Sequence, residues 1–372
     1  MGTNQQLLKK ALETPDAWLA GDPDRTERVL RVLEKIESGE GVTLGGEYPA
    51  KAGDILIATG GTSGKPRFAI HSWDTLCAAA NCLIERVGDE MQSYGILPLE
   101  HVSGFMPLVR TIVSGGKLLL GDKDTLAGMQ EGMFLSLVPT QLQRFSKDPE
   151  LVKKLRACRM IFVGGAAVEE KLLDKAQELG LPLAPCYGMT ETAAMVTVLH
   201  PKEFVAGKRG CGKALPGVGI STGKDHRIHI STPALCQRYA GSEAVVSQPF
   251  ATEDRGILDE EGSLHILGRM DRVIITGGEK VDPEEVEAVL KEASGVQDAL
   301  VVGLPDEEWG QKVIAFVTGT TQEPETLKDA AKRRLPGYKV PKQILFVQDL
   351  PLNDREKVDW ELVRKLSRDA LL

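Results

Sequence analysis

Between about residues 50 and 200, short β-branched apolar runs alternate with amphipathic helical segments. That alternation narrows the fold more than any other feature of the chain. Buried strands are expected at residues 55–58, 68–71, 93–97, 117–120, 134–137 and 160–163. Ser72 is placed to cap a helix running from Trp73 to Val87, with Asp74 in its first turn, and residues 169–179 form another helix. Strand–helix units of this kind build a largely parallel sheet, which sets the class as α/β. From about 208 to 267 the texture changes to short strands, Gly-rich turns and acidic loops, with period-two alternation at 226–230 and 263–267. Gly268-Arg269-Met270-Asp271-Arg272 reads as a boundary. Beyond it lies a smaller α+β piece with a Pro283-Glu284-Glu285 helix start, a basic segment over 333–342 and a final helix. The expected domains are 1–268 and 272–372.

One loop carries the first chemical hint: Thr59-Gly60-Gly61-Thr62-Ser63-Gly64-Lys65-Pro66-Arg67. Glycine allows close backbone approach and positive φ, Thr and Ser offer donors to phosphoryl oxygens, and the terminal cations neutralise them. The pattern points to a nucleoside triphosphate held in a hairpin loop. A Walker loop does not fit, because Thr59 stands five residues before Gly64 and Pro66 follows Lys65 where a hydroxyl belongs. Pro66 also sits poorly inside a following helix, and the sequence continues as a strand. By itself the segment reads equally well as a Gly-rich surface turn.

Composition removes other classes. The 45 basic and 53 acidic residues leave a net charge of −8, which argues against general nucleic-acid or anionic-membrane binding. No apolar run approaches the roughly 20 residues needed to cross a bilayer, and the polar, helix-like start has no signal-peptide core. Six cysteines lack any C-x-x-C pair, so they are read as reduced packing residues of a cytoplasmic protein and not as zinc ligands.

Five motifs follow one another along the chain: the loop from Gly60 to Arg67, Leu97-Pro98-Leu99-Glu100-His101, Tyr187-Gly188-Met189-Thr190-Glu191, Thr252-Glu253-Asp254 with Gly268-Arg269-Met270-Asp271, and Leu350-Pro351 with Lys357. In this order they resemble those of the adenylate-forming enzymes, the superfamily of acyl-CoA synthetases, peptide-synthetase adenylation domains and firefly luciferase. The resemblance spans about residues 50–365. It implies a large N-terminal domain of βα layers plus a distorted β-barrel, and a small mobile C-terminal domain hinged at Asp271. It also implies ATP, Mg²⁺ and CoA as reactants, with a small-molecule carboxylic acid as partner.

The resemblance assigns roles residue by residue. Thr59 and the Gly60 to Arg67 loop hold the β- and γ-phosphates, Thr190 donates to phosphate and Glu191 holds Mg²⁺. Tyr187 stacks on adenine beside Gly188 and Met189, while Gly164, Gly165 and Ala166 line the base through their backbone. Asp254 accepts from ribose, Arg269 contacts ribose or phosphate, and Lys357 stabilises adenylation. Gly277 and Gly278 help to form the thiol tunnel, and His101 gates the acyl pocket. Read without the resemblance, Tyr187 to Glu191 is a turn and helix start, Asp254 an Asx turn, Lys357 one charge on a solvated face, His101 a loop histidine and Arg269 half of a surface pair.

Gly60, Arg67, Phe68, Glu356 and Trp360 depart from the family pattern. The glycine loop also begins earlier than in most members, which implies a shortened N-terminal subdomain. Within the superfamily the chain looks like the short o-succinylbenzoate–CoA ligases of menaquinone and phylloquinone synthesis. Their substrate has a second carboxylate that needs a donor, and Arg67, Arg110 and Ser103 are the candidates. An adenylating enzyme for another aryl or acyl acid, passing it to CoA or a carrier protein, and a non-catalytic nucleotide-binding relative stay open as alternatives, and the sequence is compatible with a homo-oligomer.

Overall fold

In the computed structural model, which describes residues 2–59, 67–88, 90–319, 323–352 and 358–369, the largest sheet has eight strands. In spatial order they are Leu19–Gly21, Leu118–Leu120, Ser93–Gly95, Phe134–Leu137, Met160–Val163, Leu183–Met189, Ala194–Val198 and Lys213–Ala214. The first six are mutually parallel and the last two antiparallel. Met160–Val163 is buried at every residue, as a parallel strand covered on both faces should be. One apolar cluster includes Leu33, Ile55, Leu76, Phe105 and Leu108; a second includes Tyr94, Leu142, Phe145, Ile161 and Leu183.

Two strands of the parallel sheet are shorter than the sequence reading, while the hairpin strands each gain a residue, Thr59 and Arg67. The strand expected over 93–97 stops at Gly95, and the one expected over 117–120 begins at Leu118. Beyond Gly95 the chain is recruited by tertiary packing. A Cβ on Gly104 would lie 2.0 Å from the Pro98 carbonyl oxygen and 2.8 Å from that of Leu97, so the helix Val102–Ser114 sits directly on that segment. The strand Leu19–Gly21 has only three residues, too few to show a period.

A four-stranded sheet runs in the order Arg238–Tyr239, Arg67–His71, Ile55–Thr59 and Val42–Leu44. Ile55–Thr59 pairs antiparallel with Arg67–His71, from Ile55 opposite His71 to Thr59 opposite Arg67, so the glycine loop joins two hairpin strands. Tyr239 pairs with Ala69 across the other edge. The next helix, Trp73–Val87, starts on a reciprocal cap in which Ser72 Oγ accepts from the Thr75 amide and Thr75 Oγ1 accepts from the Ser72 amide. A third sheet orders Gly219–Thr222, Arg227–Ser231, Phe250–Leu258 and Leu264–Arg269.

By contact density the chain divides into Met1–Thr252 with Gly256–Ile266, and Glu253–Arg255 with Leu267–Leu372. The smaller unit is α+β. Its strands Asp298–Asp306 and Gly310–Thr318 pair antiparallel over nine residues, and Gln343–Phe346 pairs parallel with Gly310–Thr318. The helices Pro283–Lys291 and Pro324–Lys332 belong to the same unit, whose core includes Val286, Leu290, Val301 and Val313. All six cysteines carry free thiols. Burial pushes those of Cys77, Cys158, Cys186, Cys211 and Cys236 up to about 12, far from reactive. Among the described residues no helix is long and apolar enough to cross a membrane.

Candidate active site

The turn after the strand Leu183–Met189 organises the larger unit's chemistry. The residues alone allowed a helix start here; instead Thr190–Thr192 is a single 3₁₀ turn that reverses into Ala194–Val198. Thr192, fully buried, accepts from the Met189 amide at 3.2 Å and donates to the Ala194 carbonyl at 2.8 Å. The reversal puts Ala193 and Ala194 at φ 50° and 80°, where an L side chain costs about 1–2 kcal/mol. Gly188 makes the return possible: a Cβ there would lie 2.0 Å from the Ala194 carbonyl oxygen.

Two side chains from outside the turn hold it among the described residues. His71, wholly buried at the end of its strand, places Nε2 2.8 Å from the Thr190 carbonyl oxygen and Nδ1 3.2 Å from Thr75 Oγ1. A carbonyl only accepts, so Nε2 carries the proton. Burial drags the imidazole pKa down to about 4 against the opposing pull of the Thr190 carbonyl, and the ring is neutral at pH 7. Tyr239 Oη donates to Glu191 Oε1 at 2.9 Å, and the Arg67 guanidinium lies 3.9 Å over the Tyr239 ring. Burial raises the Tyr239 pKa and the Glu191 carboxylate adds to the effect, so the hydroxyl stays a donor. Neither His71 nor Tyr239 stood out in the sequence. Tyr239 lies 48 positions from Glu191, and only sheet pairing brings them together.

Among the described residues no group of three or more His, Cys, Asp or Glu side chains is arranged to hold a metal. A single half-buried carboxylate, Glu191, nonetheless suits Mg²⁺, which keeps waters and takes its remaining oxygens from substrate phosphates.

Arg110 projects from the helix Val102–Ser114 into the interior and is only 3% exposed. Its guanidinium lies 5.8 Å from the Phe162 ring centroid, and its Nε has no hydrogen-bond partner among the described residues. Burial pulls its pKa down to about 10, with Cys186 opposing, and among the described residues no carboxylate contributes to its electrostatics. The side chain is still a cation at neutral pH. On the same helix, Ser103 is exposed in the first turn, and exposed His101 occupies the N-cap position without a side-chain cap bond. Gly164, Gly165 and Ala166 follow the strand Met160–Val163; Gly165 takes φ 86°, and a Cβ on Gly164 would meet Cys186 Sγ at 2.9 Å. Tyr187 is buried in a cluster with Val196, Ile228, Ile230 and Leu264, while Gly188 and Met189 end its strand.

In the smaller unit Arg269 gathers two carboxylates. Its Nε and Nη2 donate to Asp271 at 2.7 and 2.8 Å, and Nη1 donates to Asp254 at 3.3 Å. Gly277 and Gly278 form the turn between Ile274–Thr276 and Glu279–Val281. The Gly277 amide donates to the Trp309 carbonyl at 2.8 Å, and a Cβ on Gly277 would meet the Trp309 ring at 2.9 Å. Gly60, Gly61, Thr62, Ser63, Gly64, Lys65 and Lys357 lie outside the described residues; Thr59 and Arg67, which flank the loop, are the last and first residues of paired strands.

Comparison with known proteins agrees with this organisation. The family model described as AMP-binding enzyme matches residues 9–226, and the AMP-binding enzyme C-terminal domain matches 285–357. The 2-succinylbenzoate–CoA ligase of Lactococcus lactis is 31% identical over 332 residues, covering 85% of this chain and 72% of that protein. The o-succinylbenzoate CoA synthetase of Bacillus subtilis in complex with its acyl-adenylate intermediate shares 26% identity at a TM-score of 0.71, covering 96% of this chain and 80% of that one. The same synthetase with ATP and magnesium ion is likewise 26% identical, at a TM-score of 0.70, over 96% of this chain and 81% of the other. The chain belongs to the AMP-binding enzyme family.

Proposed function

We propose that this chain is a Mg-ATP-dependent acid–CoA ligase that converts o-succinylbenzoate into its CoA thioester through an acyl-adenylate. The observation that carries the substrate choice is Arg110, a buried cation with no carboxylate against it among the described residues. A buried, unpaired guanidinium is expensive unless a ligand brings the missing anion. A dicarboxylic acid leaves one carboxylate for Arg110 while the other reacts. The relatives' names support the same acid.

In the first half-reaction the acid's carboxylate oxygen attacks the α-phosphorus of ATP. The bond to the bridging oxygen breaks, and pyrophosphate leaves. Developing charge would be met by donors: the Gly60 to Arg67 loop on the β- and γ-phosphates, Thr190 on phosphate, and Lys357 on the reacting phosphoryl group. Mg²⁺ at Glu191 would supply Lewis-acid neutralisation of phosphate oxygens. Tyr187, Gly188, Met189, Gly164, Gly165 and Ala166 frame the adenine, and Asp254 with Arg269 engages the ribose. In the second half-reaction the CoA sulfur attacks the acyl carbon and AMP leaves with the electron pair. Domains 1–268 and 272–372 would turn about Asp271, bringing Gly277 and Gly278 to the thiol while His101 gates the acyl side. ATP and CoA as co-substrates fit a cytoplasmic enzyme.

Incubation with ATP, Mg²⁺, CoA and o-succinylbenzoate should yield a thioester with AMP and pyrophosphate as coproducts, by mass spectrometry. Benzoate and short fatty acids should give little. Thioester from a monocarboxylic acid alone, or ADP in place of AMP, would contradict the proposal.

A further inference from the structure

Tyr239 is in contact with two parts of the site at once. Its hydroxyl donates to one oxygen of Glu191 at 2.9 Å, and its ring carries the Arg67 guanidinium at 3.9 Å. Arg67 ends the glycine loop and pairs with Thr59 across the hairpin, so whatever fixes Arg67 fixes one foot of that loop. The Tyr239 backbone is itself held, because its strand pairs with Arg67–His71 at Ala69. The turn that bears Glu191 is anchored separately, by His71 on the Thr190 carbonyl and by the Cys236 amide donating to the Glu191 carbonyl at 2.7 Å. With the backbone pinned on both sides, the remaining freedom of Glu191 is its side-chain rotamer. Among the described residues, Tyr239 is the hydrogen-bond donor on that carboxylate.

We infer that Tyr239 is a positioning residue serving two ligands through two parts of one side chain: its hydroxyl orients Glu191 for the metal, and its ring seats Arg67 at the foot of the phosphate loop. This rests on the reading of Glu191 as the magnesium carboxylate and of the glycine loop as the phosphate loop. Partners that orient a ligating carboxylate typically change metal affinity by about 10–100-fold when removed. A stacked guanidinium at a partly exposed ring is worth about 0.5–1 kcal/mol, a few-fold in affinity. The two effects are separable, because phenylalanine keeps the ring and loses only the hydroxyl.

The test is binding without turnover, using full-length chain and α,β-methylene-ATP. Mn²⁺ binding to the nucleotide complex is read by electron paramagnetic resonance, and metal-free nucleotide binding by calorimetry. Y239F should weaken Mn²⁺ about tenfold or more while leaving metal-free nucleotide affinity unchanged. Y239L should match that loss and also weaken metal-free nucleotide binding a few-fold. Melting temperatures report any loss of folding independently of both readouts. Wild-type Mn²⁺ binding left unaltered or tightened in Y239F overturns the inference alone. Equal metal-free affinity in Y239F and Y239L overturns the ring's share of it. A wild-type chain without metal-dependent nucleotide binding overturns the inference together with the functional reading beneath it.

Discussion

Arg110 holds a positive charge inside the larger unit with no carboxylate against it among the described residues, and that has consequences for stability as well as for binding. Desolvating an ion costs several kcal/mol, and the Phe162 ring 5.8 Å away offsets only part of it. In the ligand-free protein, Arg110→Met should therefore raise the unfolding free energy by about 1–3 kcal/mol. The same variant should raise KM for o-succinylbenzoate at least tenfold while leaving KM for ATP within about twofold, since a hydrogen-bonded charge contributes roughly 1.5–3 kcal/mol. Denaturant melts and steady-state kinetics check the two halves. A destabilised variant with unchanged KM would make Arg110 a packing residue. The sequence offered Arg110 beside Arg67 and Ser103 as donors to the second carboxylate. Local sequence could not rank them, because burial and lack of a counter-charge are properties of the folded chain; Arg67 stacks on Tyr239 and Ser103 is exposed.

At the scale of elements, the hairpin strand Arg67–His71 and the turn Thr190–Thr192 are tied by one buried imidazole. His71 titrates near the ordinary 6.5 when unfolded and at about 4 when folded, because burial penalises its charged form. Between those values the unfolded chain binds a proton that the native one refuses. The contribution is complete above pH 6.5 and lost as the pH falls toward 4, by about 3 kcal/mol at roughly 1.4 kcal/mol per unit. His71→Gln, which keeps a donor and does not titrate, should flatten that segment of a urea-unfolding series between pH 7 and 4.5. An unchanged slope would contradict the account. Elements set by local chemistry were legible in advance. Ser72 caps Trp73–Val87 as its place before the helix implies, and Ile55–Thr59 and Arg67–His71 pair across the glycine loop. Elements set by distant partners were not: the strand ending at Gly95 yields to packing on Gly104, and Thr190–Thr192 becomes a turn because Thr192 and Gly188 lock its return.

At the scale of the whole molecule, the order of motifs along the chain carried more than any one of them. Each of the Gly60, Tyr187 and Arg269 segments has an ordinary structural reading. Their succession matches a family whose two models cover residues 9–226 and 285–357. A chain built for two half-reactions must complete the first without the second substrate, because adenylation needs only acid, ATP and metal. The most direct measurement is exchange of labelled pyrophosphate into ATP with CoA left out, with o-succinylbenzoate, benzoate, short fatty acids and amino acids as acids. The account predicts exchange that depends on o-succinylbenzoate and on Mg²⁺, with thioester appearing once CoA is added. No exchange with any acid, in a chain that still binds ATP, would contradict it.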